Sequence, residues 1–381
     1  MIFKKEEKNM RFNFKMSLYT ILVGGILIIV IVSFAGILFK YNIGDAILQK
    51  SNGFGTANQK NVVVQEKKGI SISFVGDILL ASRIGININQ YGTDYPFEKV
   101  KTLLSTSDFA VGNLESAVAV TGTPISGKEY TFRADPKVIA GIKNSGLDIV
   151  SLANNHVLDF GRDAFIETLR HIKDSGLNYI GAGEDIDEAY RPVIVEKDGK
   201  KAAVFAASRV IPSGSWYAGI NTSGVAGAYN TERLVEEIEN VRGNVDYVIV
   251  YLHWGTEREQ EPNKLQKSLA RLLIDSGADV VVGTHPHVLQ GFEFYKGKVI
   301  AYSLGNFIFT NYNNPTVILN VVFDNKRVES VEVIPCMIKS YVPEPANDGQ
   351  EKQDIYQLLE DRSINVRIVD GKLFEYQSHA E

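Results

Sequence analysis

The sequence predicts an α/β domain with a largely buried sheet, preceded by one transmembrane helix. From residue 70 onward, apolar runs of strand length alternate with helical stretches. Three of those helical stretches stop at a Ser-Gly pair: Ser145-Gly146, Ser175-Gly176 and Ser276-Gly277. Near the start, residues 18–39 read LYTILVGGILIIVIVSFAGILF, with no charge among them.

The apolar stretch is 22 residues long. At about 1.5 Å per residue it reaches across a bilayer core of roughly 30 Å. A buried core helix is rarely apolar on every face. A signal peptide has a shorter apolar stretch and a small-residue cleavage site, and no clear site of that kind is evident. Basic residues cluster on its N-terminal side. The positive-inside rule then makes residues 1–17 a cytoplasmic basic tail and 18–39 a single-pass anchor in the cell membrane. Everything after it is exported, with the main domain outside the cell. Residues 40–69 read as a linker, with Gly53 and Gly55 among Ser, Asn and Thr.

The ordered domain is expected over residues 70–310. Its strand-like runs are 70–75, 109–111, 148–152, 246–252 and 279–282, with helical stretches at 162–174, 231–241 and 264–275. Glycine in the Ser-Gly pairs suits a left-handed helix C-cap before the next strand. Such alternation is that of an α/β domain. Residues 311–381 form a β-rich extension: strands at 316–323 and 328–334, a short helix near 354–360, and a strand–turn–strand near 365–376. The first two strands make a hairpin that either closes the sheet or stands as a small appendix.

A hydrophobic fraction of 45% and a charged fraction of 22% are those of a globular chain. The net charge of −5 is unevenly spread: the first 40 residues carry +4, leaving −9 for the rest. That balance argues against a nucleic-acid-binding surface. Cys336 is the sole cysteine, so there is no intrachain disulfide and no cysteine cluster to hold zinc.

Ligands in an open α/β sheet bind outside the carboxyl ends of the strands. Five polar clusters fall there: Gly76-Asp77, Gly112-Asn113-Leu114-Glu115, Ala153-Asn154-Asn155-His156, His253-Trp254-Gly255 and Gly283-Thr284-His285-Pro286-His287. Four of the six histidines lie in them, the others being His171 and His379. Taken singly, a Gly-Asp is usually a turn, Asn-Asn an Asx-turn and a buried histidine a hydrogen-bonded core residue. Together they offer imidazole, carboxylate and amide oxygen, the ligand set of a divalent metal such as Mn²⁺, Fe²⁺ or Zn²⁺, one ion or two.

These clusters, with Phe74-Val75 before the first, His253-Trp254-Gly255-Thr256-Glu257, Val288-Leu289-Gln290 after His287, and Tyr302-Ser303-Leu304-Gly305-Asn306-Phe307, resemble the ordered motifs of the CapA/PgsA capsule-synthesis family. The resemblance covers residues 70–309. That family is similar in turn to calcineurin-like metallophosphoesterases, which implies a four-layer α/β/β/α sandwich with metal at the strand ends. By resemblance, Asp77, Asn155, His253, His285 and His287 are metal ligands, and His156 protonates the leaving group. Two positions depart from the calcineurin-like pattern: Leu79 stands where a histidine is usual, and Asn113 where a bridging aspartate is. Glu115 is the substitute carboxylate and a second catalytic candidate.

Weaker expectations attach to four residues around the substrate: Asn113, Arg133 as a partner for an anion, Glu257 as a base or supporting residue, and Asn306 lining the pocket. Trp216 and Tyr217 are expected in a mobile loop over the site. The family implies a role in synthesis, export or attachment of poly-γ-glutamate or a similar acidic polymer, beside the membrane subunits of a polymer synthase complex. A metal-dependent hydrolase or transferase is the leading expectation. A phosphoesterase acting on envelope or nucleotide phosphoesters and a non-catalytic polymer-binding scaffold are the alternatives.

Overall fold

Nine consecutive buried residues, Ile70–Ile78, form the strand on which the fold is organised. The computed structural model describes residues 69–310 and 313–376. The expected tail and anchor, and all but the last residue of the linker, lie outside the described residues. Among the described residues no helix is long and apolar enough to cross a membrane.

On one side, Ile70–Ile78 pairs in parallel with Phe109–Leu114, which continues to Ile149–Ser151 and Asn178–Ile180. On the other it pairs antiparallel with Asn314–Asp324, followed by Arg327–Lys339, Lys372–Glu375 and Val366–Val369. The hairpin predicted after residue 311 therefore extends the sheet beside its central strand. A second sheet of six strands centres on Tyr247–His253, parallel to Lys200–Ser208 and Val280–Thr284, with Lys298–Ala301 beyond.

Three apolar cores set the layers. Phe74, Val111 and Leu319 of the first sheet pack with Val204, Ile249 and Val282 of the second. On its outer face the first sheet is covered by Ile84 and Ile88 of Ser82–Tyr91, Ile142 of Val138–Asn144, and Phe165, Leu169 and Ile172 of Gly161–Ser175. The second sheet's outer face takes Leu234 and Ile238 of Glu232–Arg242, and Leu269 and Leu273 of Lys264–Asp275. The layers thus run α/β/β/α. Each large aliphatic side chain so buried contributes roughly 1.5–3 kcal/mol. Gly146, Gly176 and Gly277, the glycines of the three Ser-Gly pairs, all take positive φ, as a left-handed helix exit requires.

The strand register brings the chemistry to one edge. Asp77 lies opposite Asn113, Asn113 opposite Ser151, and His253 opposite Thr284. The short strand Asn306–Ile308 pairs in parallel with the end of Ile70–Ile78, placing Asn306 opposite Asp77. Gly76 permits this: a Cβ there would stand 1.9 Å from the Gly305 carbonyl oxygen, which accepts the Asp77 N–H at 2.9 Å.

Candidate metal centre

Asp77, Asn113 and Glu115 leave the first sheet fully buried. Asp77 Oδ1 accepts from Asn113 Nδ2 at 2.8 Å, and Oδ2 accepts from the His285 backbone N–H at 3.2 Å. Asn154 fixes Asn113 in turn, donating to its Oδ1 at 3.0 Å and to the Leu114 carbonyl at 2.9 Å. The same asparagine's Oδ1 accepts the N–H groups of His156 and Val157, each at 3.0 Å, the Asx-turn anticipated for this stretch.

The second sheet supplies the histidines. His253, almost fully buried, lies with Nε2 2.8 Å from Asn155 Oδ1 and Nδ1 3.2 Å from Thr284 Oγ1. His285 and His287 both have positive φ, 96° and 60°. Such backbone is costly for a residue with a Cβ and is found where surroundings impose it, often at functional sites. His287 Nδ1 is 2.8 Å from Asn306 Oδ1 and 3.2 Å from Asp77 Oδ2.

Glu115 is the anomaly. Neither of its carboxylate oxygens has a hydrogen-bond partner among the described residues, although both are buried. Oε1 lies 3.7 Å from His253 Nε2 and 4.0 Å from His287 Nε2. His285 Nδ1 and Asn306 Nδ2 are also buried without a partner. Burying an unpaired carboxylate is expensive unless something neutralises it. Three ligand groupings have all their donor atoms within 4.8 Å: Glu115 with His253 and His285, Asp77 with Glu115 and His287, and Glu257 with His285 and His287. Glu115 is common to the first two. Two carboxylates with neutral imidazoles match a dication in charge and in donor type, so these residues fit a divalent metal. Asn113 turns its amide nitrogen to Asp77 and its oxygen to Asn154, while Glu115 is the carboxylate shared by two of the groupings.

The electrostatics agree. Burial, reinforced by Asp77, pushes the Glu115 carboxyl well above the usual range. Burial and neighbouring His285 hold His253 well below the usual imidazole value, and burial with His287 holds His285 down to about 4. Burial also opposes a charge on His287, but Glu115 and Asp77 overcome it and raise His287 to about 10.

His156 stands beside this cluster. Its Nδ1 is 2.7 Å from Asp159 Oδ2, which also accepts the Phe132 N–H at 2.7 Å. Lys128 donates to Asp159 Oδ1 and to the Asn155 carbonyl, and its Nζ is 3.1 Å from His156 Nδ1. A carboxylate so close requires a donor, so Nδ1 carries the proton and Nε2 is left free. Burial lowers both His156, against the pull of Asp159, and Lys128.

A cavity of about 610 Å³ opens over the centre, lined by Tyr130, Phe132, His156, Glu257, Arg258 and His287, together with the buried Asn306 and Phe309. The structure thus gathers Asp77, Asn113, Glu115, Asn155, His156, His253, His285, His287, Glu257 and Asn306. Arg133 stands apart: its guanidinium lies over the Phe160 ring and donates to the carbonyls of Thr121 and Gly122 at 2.8 and 3.1 Å. Trp216, expected in a covering loop, is buried, with Lys128 Nζ 5.2 Å from its ring centroid. Leu79 is likewise core and offers no ligand. Sequence reasoning missed Asp159 and Lys128. The spacing of Asp159, three residues after His156, was a usable signal; nothing local marks Lys128.

Residues 71–311 match the family model described as "Bacterial capsule synthesis protein PGA_cap". The chain is 32% identical over 313 residues to the capsule biosynthesis protein CapA of Bacillus anthracis, covering 78% of this chain and 75% of that protein. It is 31% identical over 326 residues to the PGA biosynthesis protein CapA of Bacillus subtilis (strain 168), covering 84% and 85%. Among solved structures, the NAD nucleotidase NadN of Haemophilus influenzae aligns over 78% of this chain and 63% of that chain with a TM-score of 0.44 and 13% identity. With the matched segment carrying every residue of the centre from Asp77 to Asn306, the chain belongs to the bacterial capsule synthesis protein family PGA_cap.

Proposed function

We propose that this protein is a membrane-anchored, outward-facing member of a capsule-synthesis machinery that cuts or transfers a bond in an acidic polymer of the poly-γ-glutamate kind. Residues 18–39 anchor it, and the membrane subunits of the polymer synthase are its partners. The observation that carries the catalytic part is the buried, unpartnered Glu115 carboxylate among three imidazoles and Asp77. Asp77, Glu115, Asn155, His253, His285 and His287 would hold the metal. A divalent cation held there would supply Lewis-acid chemistry toward an amide or ester carbonyl.

The chain's own residues do the rest. Asp159 fixes the His156 ring with its proton on Nδ1, which leaves Nε2 of this cavity-lining residue as the atom to take or give one proton during bond exchange. Asn113 and Asn154 hold Asp77 and the loop of His156 in register. Phe132, Phe309 and Tyr130 form apolar walls that limit water around the reacting bond.

The test replaces the chromosomal copy with His285→Ala in a polymer-producing host. The reading expects surface polymer to change in amount or chain length, with normal protein level in the membrane fraction. Unchanged polymer would overturn it. Turnover of a phosphodiester by the purified protein, lost in His156→Ala, would favour the phosphoesterase alternative instead.

A further inference from the structure

Deeper in that reading of the site, on which this inference rests, lies the question of what recognises the anion. Arg133 does not, since backbone carbonyls hold its guanidinium. Lys128 is engaged by Asp159 and the Asn155 carbonyl. Arg258 differs. It is exposed and lines the cavity, and among the described residues its guanidinium makes no hydrogen bond or ion pair.

Its backbone is as constrained as its side chain is free. Arg258 has φ of 64°, a left-handed conformation unfavourable for a residue with a long side chain. The Arg258 N–H donates to the Pro286 carbonyl at 2.8 Å, tying it to the turn that carries His285 and His287. Buried Gln290 then grips the following segment, donating from Nε2 to the Glu259 and Glu261 carbonyls at 2.9 and 3.3 Å. Gln290 is held by Gln266 at 2.8 Å, and Gln266 belongs to the capping box that starts the helix Lys264–Asp275. A loop anchored in this way presents its side chains from a fixed place. Glu257 turns a carboxylate oxygen toward His285 and His287, all within 4.8 Å, while its neighbour Arg258 is left at the cavity wall.

We propose that Arg258 is the specificity residue of this site: its guanidinium binds a carboxylate of the substrate and so sets which bond of a repeating acidic chain lies over the centre. A guanidinium fork matches a carboxylate with two parallel hydrogen bonds, and a rigid base reduces the cost of ordering it. Tyr130 and Phe132, which line the same cavity as Arg258, give the polymer backbone an apolar surface beside the fork.

The experiment uses the full chain purified in mild detergent and loaded with Mn²⁺. Binding of a γ-linked glutamate decamer, of its amidated γ-linked glutamine counterpart and of inorganic phosphate is measured by calorimetry for the native chain, Arg258→Gln and Arg258→Lys, with metal content determined in parallel. Arg258→Gln is expected to weaken decamer binding about tenfold with metal content unchanged, the loss of one charge-assisted contact. Arg258→Lys regains part of it, and the neutral decamer binds all three equally. Equal decamer affinity in the native chain and Arg258→Gln, or a native chain that retains metal and binds phosphate but not the decamer, overturns the proposal while leaving the metal centre standing. A native chain without metal sinks the reading of the centre itself; Arg258 is then judged on decamer binding by the metal-free chain, where a loss in Arg258→Gln supports it and no loss or no binding rejects it.

Discussion

Asn113 donates from Nδ2 to Oδ1 of Asp77 across 2.8 Å, both side chains fully buried. One oxygen of the aspartate is thereby spoken for, and the amide that occupies it carries no charge. An aspartate at position 113 would set two carboxylates face to face in a buried site. Asn113→Asp is therefore expected to lower the melting temperature of the metal-free chain by several degrees, from roughly 1–3 kcal/mol of repulsion and lost hydrogen bonding. Added Mn²⁺ should recover more stability in the variant than in the native chain, because a second carboxylate strengthens cation binding. Melting curves with and without Mn²⁺ measure both, and equal metal-free midpoints would contradict the account.

Metal uptake should release protons. In the metal-free chain His287, raised to about 10, is protonated at neutral pH, while burial and Asp77 push Glu115 the same way. A protonated Glu115 would no longer hold His287 up, so the pair retains one proton between them rather than two. A cation must displace that proton. Affinity then rises as pH rises toward 10, by about tenfold per unit for one proton. Below about 4, His285 also takes a proton and binding is lost altogether. Calorimetric titration in two buffers of different ionisation enthalpy counts the protons; affinity independent of pH between 6 and 9 would be the contrary result.

Asp159 is a positioning residue for His156. It is fully buried and receives the Phe132 N–H, His156 and Lys128. Asp159→Asn leaves Lys128 without its counter-charge and offers His156 an amide in place of a carboxylate. A loss of roughly 2–4 kcal/mol in urea unfolding is expected. Because Asp159 raises the His156 imidazole against burial, its removal should also move the His156 titration to lower pH, read by NMR. Stability lost without that shift would mean that Asp159 acts on packing alone.

What the sequence shows of this fold follows from its physics. The buried strand ends are continuous apolar runs followed by abrupt polarity, so Asp77, Asn113, Asn155, His253, His285 and His287 could be placed before any coordinates. The strand Lys200–Ser208 could not: Ala202, Ala203, Ala206 and Ala207 are buried in its middle, and alanine carries little strand signal. The helix Ser82–Tyr91 begins after Ala81 with no side-chain cap and contains Gly85, so it lacked the usual start signal. Arg133 and Arg258 look alike as letters. Only the fold shows that carbonyls from Thr121 and Gly122 claim the one, while the other lines the cavity. Lys128 reaches Asp159 and His156 from a loop 31 and 28 residues away, a separation no local pattern encodes.

The cation is the central claim, and Glu115 is its sharpest test. The full chain, stripped with chelator and then dialysed against Mn²⁺, Fe²⁺ or Zn²⁺, is measured for bound metal by elemental analysis and for melting temperature, beside Glu115→Gln. The account predicts that the native chain retains one or two equivalents and melts several degrees higher when loaded. Glu115→Gln should lose at least half of the metal and gain correspondingly less in melting temperature on loading, since the carboxylate common to two of the ligand groupings is gone. A native chain that binds no divalent metal and whose melting is indifferent to it would contradict the account.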